Sequence, residues 1–120
     1  MKKEAIIYCR VSSSKQVREG HGLDGQEKRC RNYALKKGYS VLKVFREEGI
    51  SGGVVDRPAM REVLFFLEKM ECQTVVIIDD LKRLARDIES HFTLRAEIGK
   101  RGGQIESPSH KFDESPIGKL

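Results

Sequence analysis

Ala5-Ile6-Ile7-Tyr8-Cys9-Arg10-Val11 is an almost unbroken apolar run, rich in β-branched and aromatic residues. A strand with one wet face alternates polar and apolar side chains, whereas a strand covered on both faces does not need to. The run therefore predicts a strand buried on both sides, the signature of a parallel sheet sandwiched between helices. The rest of the chain fits that frame. Val41 to Glu47 and Thr74 to Asp79 read as further strands, and Gln104 to Glu106 as a short fourth one. Between them the periodicity turns helical. From about Gln26 to Lys37, Cys30, Tyr33 and Ala34 fall on one face and Gly38 stops the helix. Asp56-Arg57-Pro58 opens a second helix, with aspartate as cap, proline in the first turn, and Met60, Val63, Leu64 and Leu67 on the buried face. Asp87 caps a third, which runs to about Arg101 and is closed by Gly102-Gly103. Strands alternating with helices of this length predict an α/β fold: an open, mainly parallel sheet of four (or five) strands with helices on both faces and right-handed crossovers.

The 120 residues fit one domain. With 38% hydrophobic and 34% charged residues, the chain can bury one modest core and keep a charged surface. No apolar run approaches the ~20 residues of a membrane-spanning helix, and Met1-Lys2-Lys3-Glu4 leads straight into the first strand, so neither a signal peptide nor a membrane span is expected. Cys9, Cys30 and Cys72 are odd in number, far apart and form no CxxC pair, which points to a reducing cytoplasm rather than a disulfide framework or a zinc site. His21, His91 and His110 have no ligand spacing, so no metal is expected. The tail Ser115-Pro116 reads as a helix start, yet the sequence ends within about a turn. The expected organisation is a domain over 1–114 and a truncated helix over 115–120.

Net charge is +5, and its distribution is uneven. Between Arg10 and Lys37 eight basic residues face three acidic ones, which already accounts for the excess. Such a skew suits a polyanion, though a solvated basic helix face looks the same.

In open parallel sheets ligand sites gather beyond the carboxyl ends of the strands, where Ser12, Glu47, Glu48, Asp79 and Asp80 fall. Arg10 and Ser12 share parity, so if the strand holds to its end both leave one face, about 6.6 Å apart. Arg83 and Arg86 in Leu-Lys-Arg-Leu-Ala-Arg lie near one face of any helical turn, with Lys82, and Arg57 sits at a helix start. A hydroxyl ringed by guanidinium groups suits phosphodiester chemistry: attack on phosphorus loads extra negative charge on the non-bridging oxygens, and rigid N–H forks stabilise it. Spacing alone also fits surface ion pairs of Arg83 and Arg86 with Asp79, Asp80 and Asp87, and serine runs such as Ser12 to Ser14 are commonly loop residues. There is no GxSxG elbow, no GxxxxGK[ST] loop and no GxGxxG fingerprint, so acyl transfer and nucleotide binding find no support and no cofactor is expected.

Taken together, YCRVSS at Tyr8 to Ser13, FREEGISGG with DRP at Phe45 to Pro58, IIDDLKRLARD at Ile77 to Asp87 and SPIGKL at Ser115 to Leu120 closely resemble the catalytic domain of serine recombinases, the resolvase and invertase superfamily. The segment EGHGLDGQEKRC, with the GISGG loop, looks more like the large phage-integrase and transposon branch. The resemblance implies site-specific recombination of double-stranded DNA, with dimers and a synaptic tetramer in the full-length protein. By the same resemblance Ser12 is the nucleophile that joins a 5′ phosphate, and Arg10, Arg57, Arg83 and Arg86 bind the scissile phosphate. Gln16 and Gln26 match polar residues that shape the site, and Glu47 stands where relatives usually carry aspartate. Lys82 replaces an acid common in relatives, so the carboxylate that orients arginines would come from Asp79, Asp80 or Glu47. Compact resolvases place a lysine in the second helix, roughly where this chain has Phe66. Two other classes remain to be weighed: a metal-dependent nuclease or phosphatase using Asp79 and Asp80 with Glu47, and a non-catalytic receiver-like or assembly module.

Overall fold

A computed structural model of the chain describes residues 3–11, 22–48, 57–85 and 87–109. Strand β1, Glu4–Val11, is followed by α1, Leu23–Lys37, and β2, Ser40–Glu48; α2, Pro58–Lys69, leads to β3, Thr74–Ile78. A 3-10 turn, Leu81–Arg83, precedes α3, Ile88–Lys100, and β4, Gly103–Glu106. The sheet order is β2-β1-β3-β4, and every pairing is parallel.

Side-chain parity along β1 explains the layering. Ala5, Ile7, Cys9 and Val11 meet Val75, Ile77, Cys30 and Ala34 in a core under α1. Ile6 and Tyr8 meet Val76, Ile78, Met60, Val63, Leu67, Leu94 and Ile98 in a second core under α2 and α3. Because β1 feeds both cores it cannot carry polar alternation, as its sequence requires. The chain steps from β1 outward to β2 by way of one face, then crosses back over β1 to β3 by the other. This reversal places a topological switch point between the carboxyl ends of β1 and β3, where such sheets form a crevice.

Helix boundaries follow the packing. Helix α1 starts at Leu23, a turn earlier than the periodicity predicts, behind Gly22, which offers no side-chain cap. Leu23 and Gln26 are both buried, so tertiary contacts extend the helix where no capping signal marks it. Gly38 ends α1 at φ 77°, a left-handed conformation that glycine adopts without strain. Asp87 caps α3 as expected, accepting the Ser90 amide at 2.7 Å. Gly103 is the first residue of β4, not part of the helix stop, and a Cβ there would sit 2.5 Å from Ile98 Cγ2. Asp56 lies outside the described residues; the N-cap position of α2 is Arg57, whose side chain does no capping.

Cys9, Cys30 and Cys72 are free thiols. Burial pushes the Cys9 thiol up to about 12 and raises that of Cys30 as well, while Cys72 is exposed. Only Cys72 is therefore expected to react with a small alkylating reagent in the folded protein at pH 8, with Cys9 and Cys30 labelled after denaturation. Peptide mass spectrometry of the alkylated chain reads this directly.

Candidate active site

Arg10 is the penultimate residue of β1 and points to the α2 and α3 side of the sheet. Its own peptide is gripped by Gln26: Arg10 N–H donates to Gln26 Oε1 at 3.0 Å, and Gln26 Nε2 donates to Arg10 O at 2.9 Å. The β1–β3 ladder runs only as far as Tyr8 opposite Ile78, so the side-chain amide satisfies the strand where the neighbouring backbone has turned away. The Arg10 guanidinium reaches across the switch point. Nε donates to Arg83 O at 2.8 Å and Nη2 to Lys82 O at 3.1 Å. Arg10 thus ties the end of β1 to the turn that follows β3.

Arg57 is fully buried. Its Nη1 donates to the Tyr8 hydroxyl at 3.0 Å, its Nη2 donates to Leu84 O, and its guanidinium lies 5.8 Å from the centre of the Tyr8 ring. Tyr8 passes the contact on, because its hydroxyl donates to Glu47 Oε1 at 2.9 Å. Burial first, and then Glu47, raises the Tyr8 hydroxyl above its ordinary pKa against the pull of Arg57, so it stays protonated and able to donate. Glu47, 3% exposed, also accepts the Ala59 amide at 2.9 Å and the Met60 amide at 3.1 Å. A carboxylate from β2 therefore caps α2, the task the sequence assigns to Asp56, and favourable interaction with the helix dipole comes with it.

Arg10, Arg57 and Arg83 lie close enough for their charges to act on one another. Burial lowers the Arg10 pKa from its ordinary value, and the positive charges of Arg57 and Arg83 lower it further. Arg57 Nε and Arg83 Nε are buried N–H donors with no acceptor among the described residues. Buried donors are almost always paired in folded proteins, and a guanidinium N–H suits an anionic oxygen. Ser12, which follows β1 after Val11, lies outside the described residues, as do Gln16 and Arg86.

The three carboxylates weighed as orienting groups part company. Only Glu47 connects to the cluster, through Tyr8. Asp79 faces the α1 side, where Arg29 Nε and Nη2 fork its oxygens at 2.7 and 2.9 Å. Asp80 caps the 3-10 turn, accepting the Lys82 amide at 3.0 Å. The surface ion-pair reading of Arg83 is thereby displaced: Asp79 pairs with Arg29, Asp80 and Asp87 cap. A shared metal site of Asp79, Asp80 and Glu47 is also at odds with this division, and no cluster of three or more His, Cys, Asp or Glu side chains suited to a metal occurs among the described residues. The basic skew is partly structural, since Arg10 and Arg29 are committed internally and Arg31 pairs with Glu27 at 2.7 Å. Sequence reasoning overlooked Tyr8 as a relay, although a hydroxyl inside an otherwise aliphatic buried strand signals a hydrogen-bond partner.

The family profile described as "Resolvase, N terminal domain" matches residues 5–120. The chain belongs to the resolvase family. This resolvase-family domain is 31% identical over 114 residues to a "Putative DNA recombinase" of Bacillus subtilis (strain 168), covering 95% of the chain and 22% of that relative. It thus spans about a fifth of the relative's length. Its fold matches the crystal structure of the N-terminal catalytic domain of TP901-1 integrase with a TM-score of 0.85 and 30% identity, over 98% of this chain and 88% of that one. A resolvase family site-specific recombinase from Streptococcus pneumoniae shares the fold at a TM-score of 0.72 and 20% identity, over 90% of this chain and 73% of that one. The four-stranded parallel sheet with helices on both faces is the resolvase-like architecture expected from the sequence. No helix among the described residues of the domain is long and apolar enough to cross a membrane.

Proposed function

We propose that this chain is the catalytic domain of a serine-type site-specific DNA recombinase. Ser12 Oγ attacks the scissile phosphorus, the Ser12 O–P bond forms, and the P–O3′ bond breaks. The serine proton is lost and the departing 3′ oxygen gains one, leaving a 5′ phosphoserine ester and a free 3′ hydroxyl. The ester retains the energy of the broken bond, so rejoining by another 3′ hydroxyl needs no ATP. The observation that carries this reading is the convergence of Arg10, which stands two residues before Ser12 in the chain, with Arg57 and Arg83, whose Nε donors have no acceptor among the described residues. Arg10, Arg57, Arg83 and Arg86 are the groups that stabilise the charge growing on the phosphate. Arg10 also holds the turn that carries Arg83, and Glu47 holds Arg57 through Tyr8. The metal-dependent and assembly-module readings have no comparable observation behind them.

In the full-length protein we place residues 1–114 as the catalytic unit and 115–120 as the start of the next helix, with double-stranded DNA as partner, self-association to a dimer and a synaptic tetramer, and the cytoplasm as setting. The test is to incubate the full-length protein with duplex carrying its recombination site and trap covalent adducts under denaturing conditions with EDTA present. Adducts at the 5′ end, with a free 3′ hydroxyl, support the proposal; cleavage without adduct, or abolished by EDTA, overturns it.

Contacts confined to phosphates also predict how the isolated domain binds DNA. Its affinity is expected to be weak, insensitive to sequence, and to fall steeply as salt rises, because each neutralised phosphate releases a counterion. Titrating fluorescent duplexes of two unrelated sequences from about 50 to 200 mM salt, the range over which such losses are large, checks both points.

A further inference from the structure

Asp79 follows the last residue of β3 and is held from three sides. Arg29 of α1 forks both carboxylate oxygens, at 2.7 and 2.9 Å. Its main-chain carbonyl accepts the Ser107 hydroxyl at 2.9 Å and the Ser109 hydroxyl as well. The strand-cleavage chemistry uses none of Arg29, Ser107 and Ser109, and α1 lies across the sheet from the arginine cluster.

The next residues show what the clamp controls. Asp80 caps the 3-10 turn through the Lys82 amide, and its carbonyl accepts the Arg83 amide at 2.8 Å. The Lys82 and Arg83 carbonyls receive the Arg10 guanidinium, and the Leu84 carbonyl receives that of Arg57. Where residues 80–84 sit therefore decides where two guanidinium groups sit, and the root of that segment is Asp79. A bidentate fork fixes the plane of a carboxylate as well as its distance, which a lysine cannot do.

We propose that Arg29 is a positioning residue for the arginine cluster: by forking Asp79 it sets the root of the 80–84 turn, which Ser107 and Ser109 anchor from the other side of β3. The inference rests on the strand-cleavage reading and assigns Arg29 no contact with DNA.

The test uses the full-length protein, its recombination-site duplex, and the variants Arg29→Ala, Arg29→Lys, Asp79→Asn and the Arg29→Ala/Asp79→Asn double. Cleavage at saturating DNA is expected to fall roughly 10- to 100-fold in Arg29→Ala, the scale of a small misplacement of catalytic groups, while the half-saturating DNA concentration stays within about twofold. Arg29→Lys keeps the charge without the fork; it should fall in between, and it serves if the alanine variant does not fold. The double variant should be no slower than the worse single, since both changes cut one connection. In DNA-free protein the Arg83 and Leu84 amides, bonded to Asp80 O and Leu81 O, should exchange faster in Arg29→Ala. A raised half-saturation with an unchanged saturated rate would make Arg29 a phosphate contact and overturn the proposal, as would additive losses or unchanged exchange. If the unaltered protein cleaves nothing, the strand-cleavage reading falls, and the exchange measurement still decides whether Arg29 holds the turn.

Discussion

Ser12→Ala in the full-length protein should abolish covalent adducts altogether while leaving DNA affinity within about twofold. The reason is that the hydroxyl is a reactant, so no neighbouring group can restore the bond it makes, whereas affinity comes from phosphate contacts by cations the substitution does not touch. The guanidinium cluster is expected to stay intact in the variant, because Arg10 is held by the Lys82 and Arg83 carbonyls and Arg57 by Tyr8 and Leu84. One guanidinium opposite a phosphate oxygen at ~4 Å contributes roughly 4 kcal/mol at an effective dielectric near 20, before desolvation. Such stabilisation lowers the barrier for attack but supplies no nucleophile. A gel that resolves free DNA from the protein–DNA ester measures the outcome. Adducts that persist in Ser12→Ala would overturn the assignment and send the search to another nucleophile.

The second large effect is on stability. Glu47→Ala is expected to destabilise the fold by about 3–5 kcal/mol, the range for removing one partner of a buried charged network. Four things are lost together: the acceptor for the Tyr8 hydroxyl, the two contacts that cap α2 at Ala59 and Met60, and the negative charge linked to buried Arg57 through Tyr8. Glu47→Gln retains an acceptor oxygen without the charge and should lie in between. Urea unfolding followed by circular dichroism gives the difference, and a midpoint within error of the unaltered protein would contradict the network drawn here. Activity should fall with stability in this variant but for a separate reason: Arg57 loses the Tyr8-mediated tether that orients it. In Glu47→Gln, cleavage measured at a temperature where the protein is fully folded separates the two effects.

The site was legible where its chemistry is local in sequence. Arg10 at the end of one strand and Arg83 in the turn after another are signals a few residues long, while Ser12 and Arg86 lie outside the described residues. The positions of the strands also put Glu47, Asp79 and Asp80 at the correct end of the sheet. Their roles were not legible. Asp79 and Asp80 are adjacent yet serve opposite purposes, because one faces α1 and meets Arg29 while the other turns back on its own backbone. Nothing near α2 in the chain announces that Glu47, twelve residues before Ala59, accepts amides of its first turn, because β2 delivers that carboxylate to the helix end.

What the chain determines unaided is therefore its layering: an apolar run such as 5–11 can be satisfied only by cover on both faces, and glycine at 38 can take φ 77° wherever the helix is to stop. Those are properties of the backbone and of side chains a few residues apart. Which carbonyls receive Arg10, which hydroxyl and carbonyl answer Arg57 and which arginine grips Asp79 were decided by the tertiary structure alone. Each of those partners is a polar group that folding takes out of water, and its mate is whichever complementary group the packed sheet and helices bring within about 3 Å.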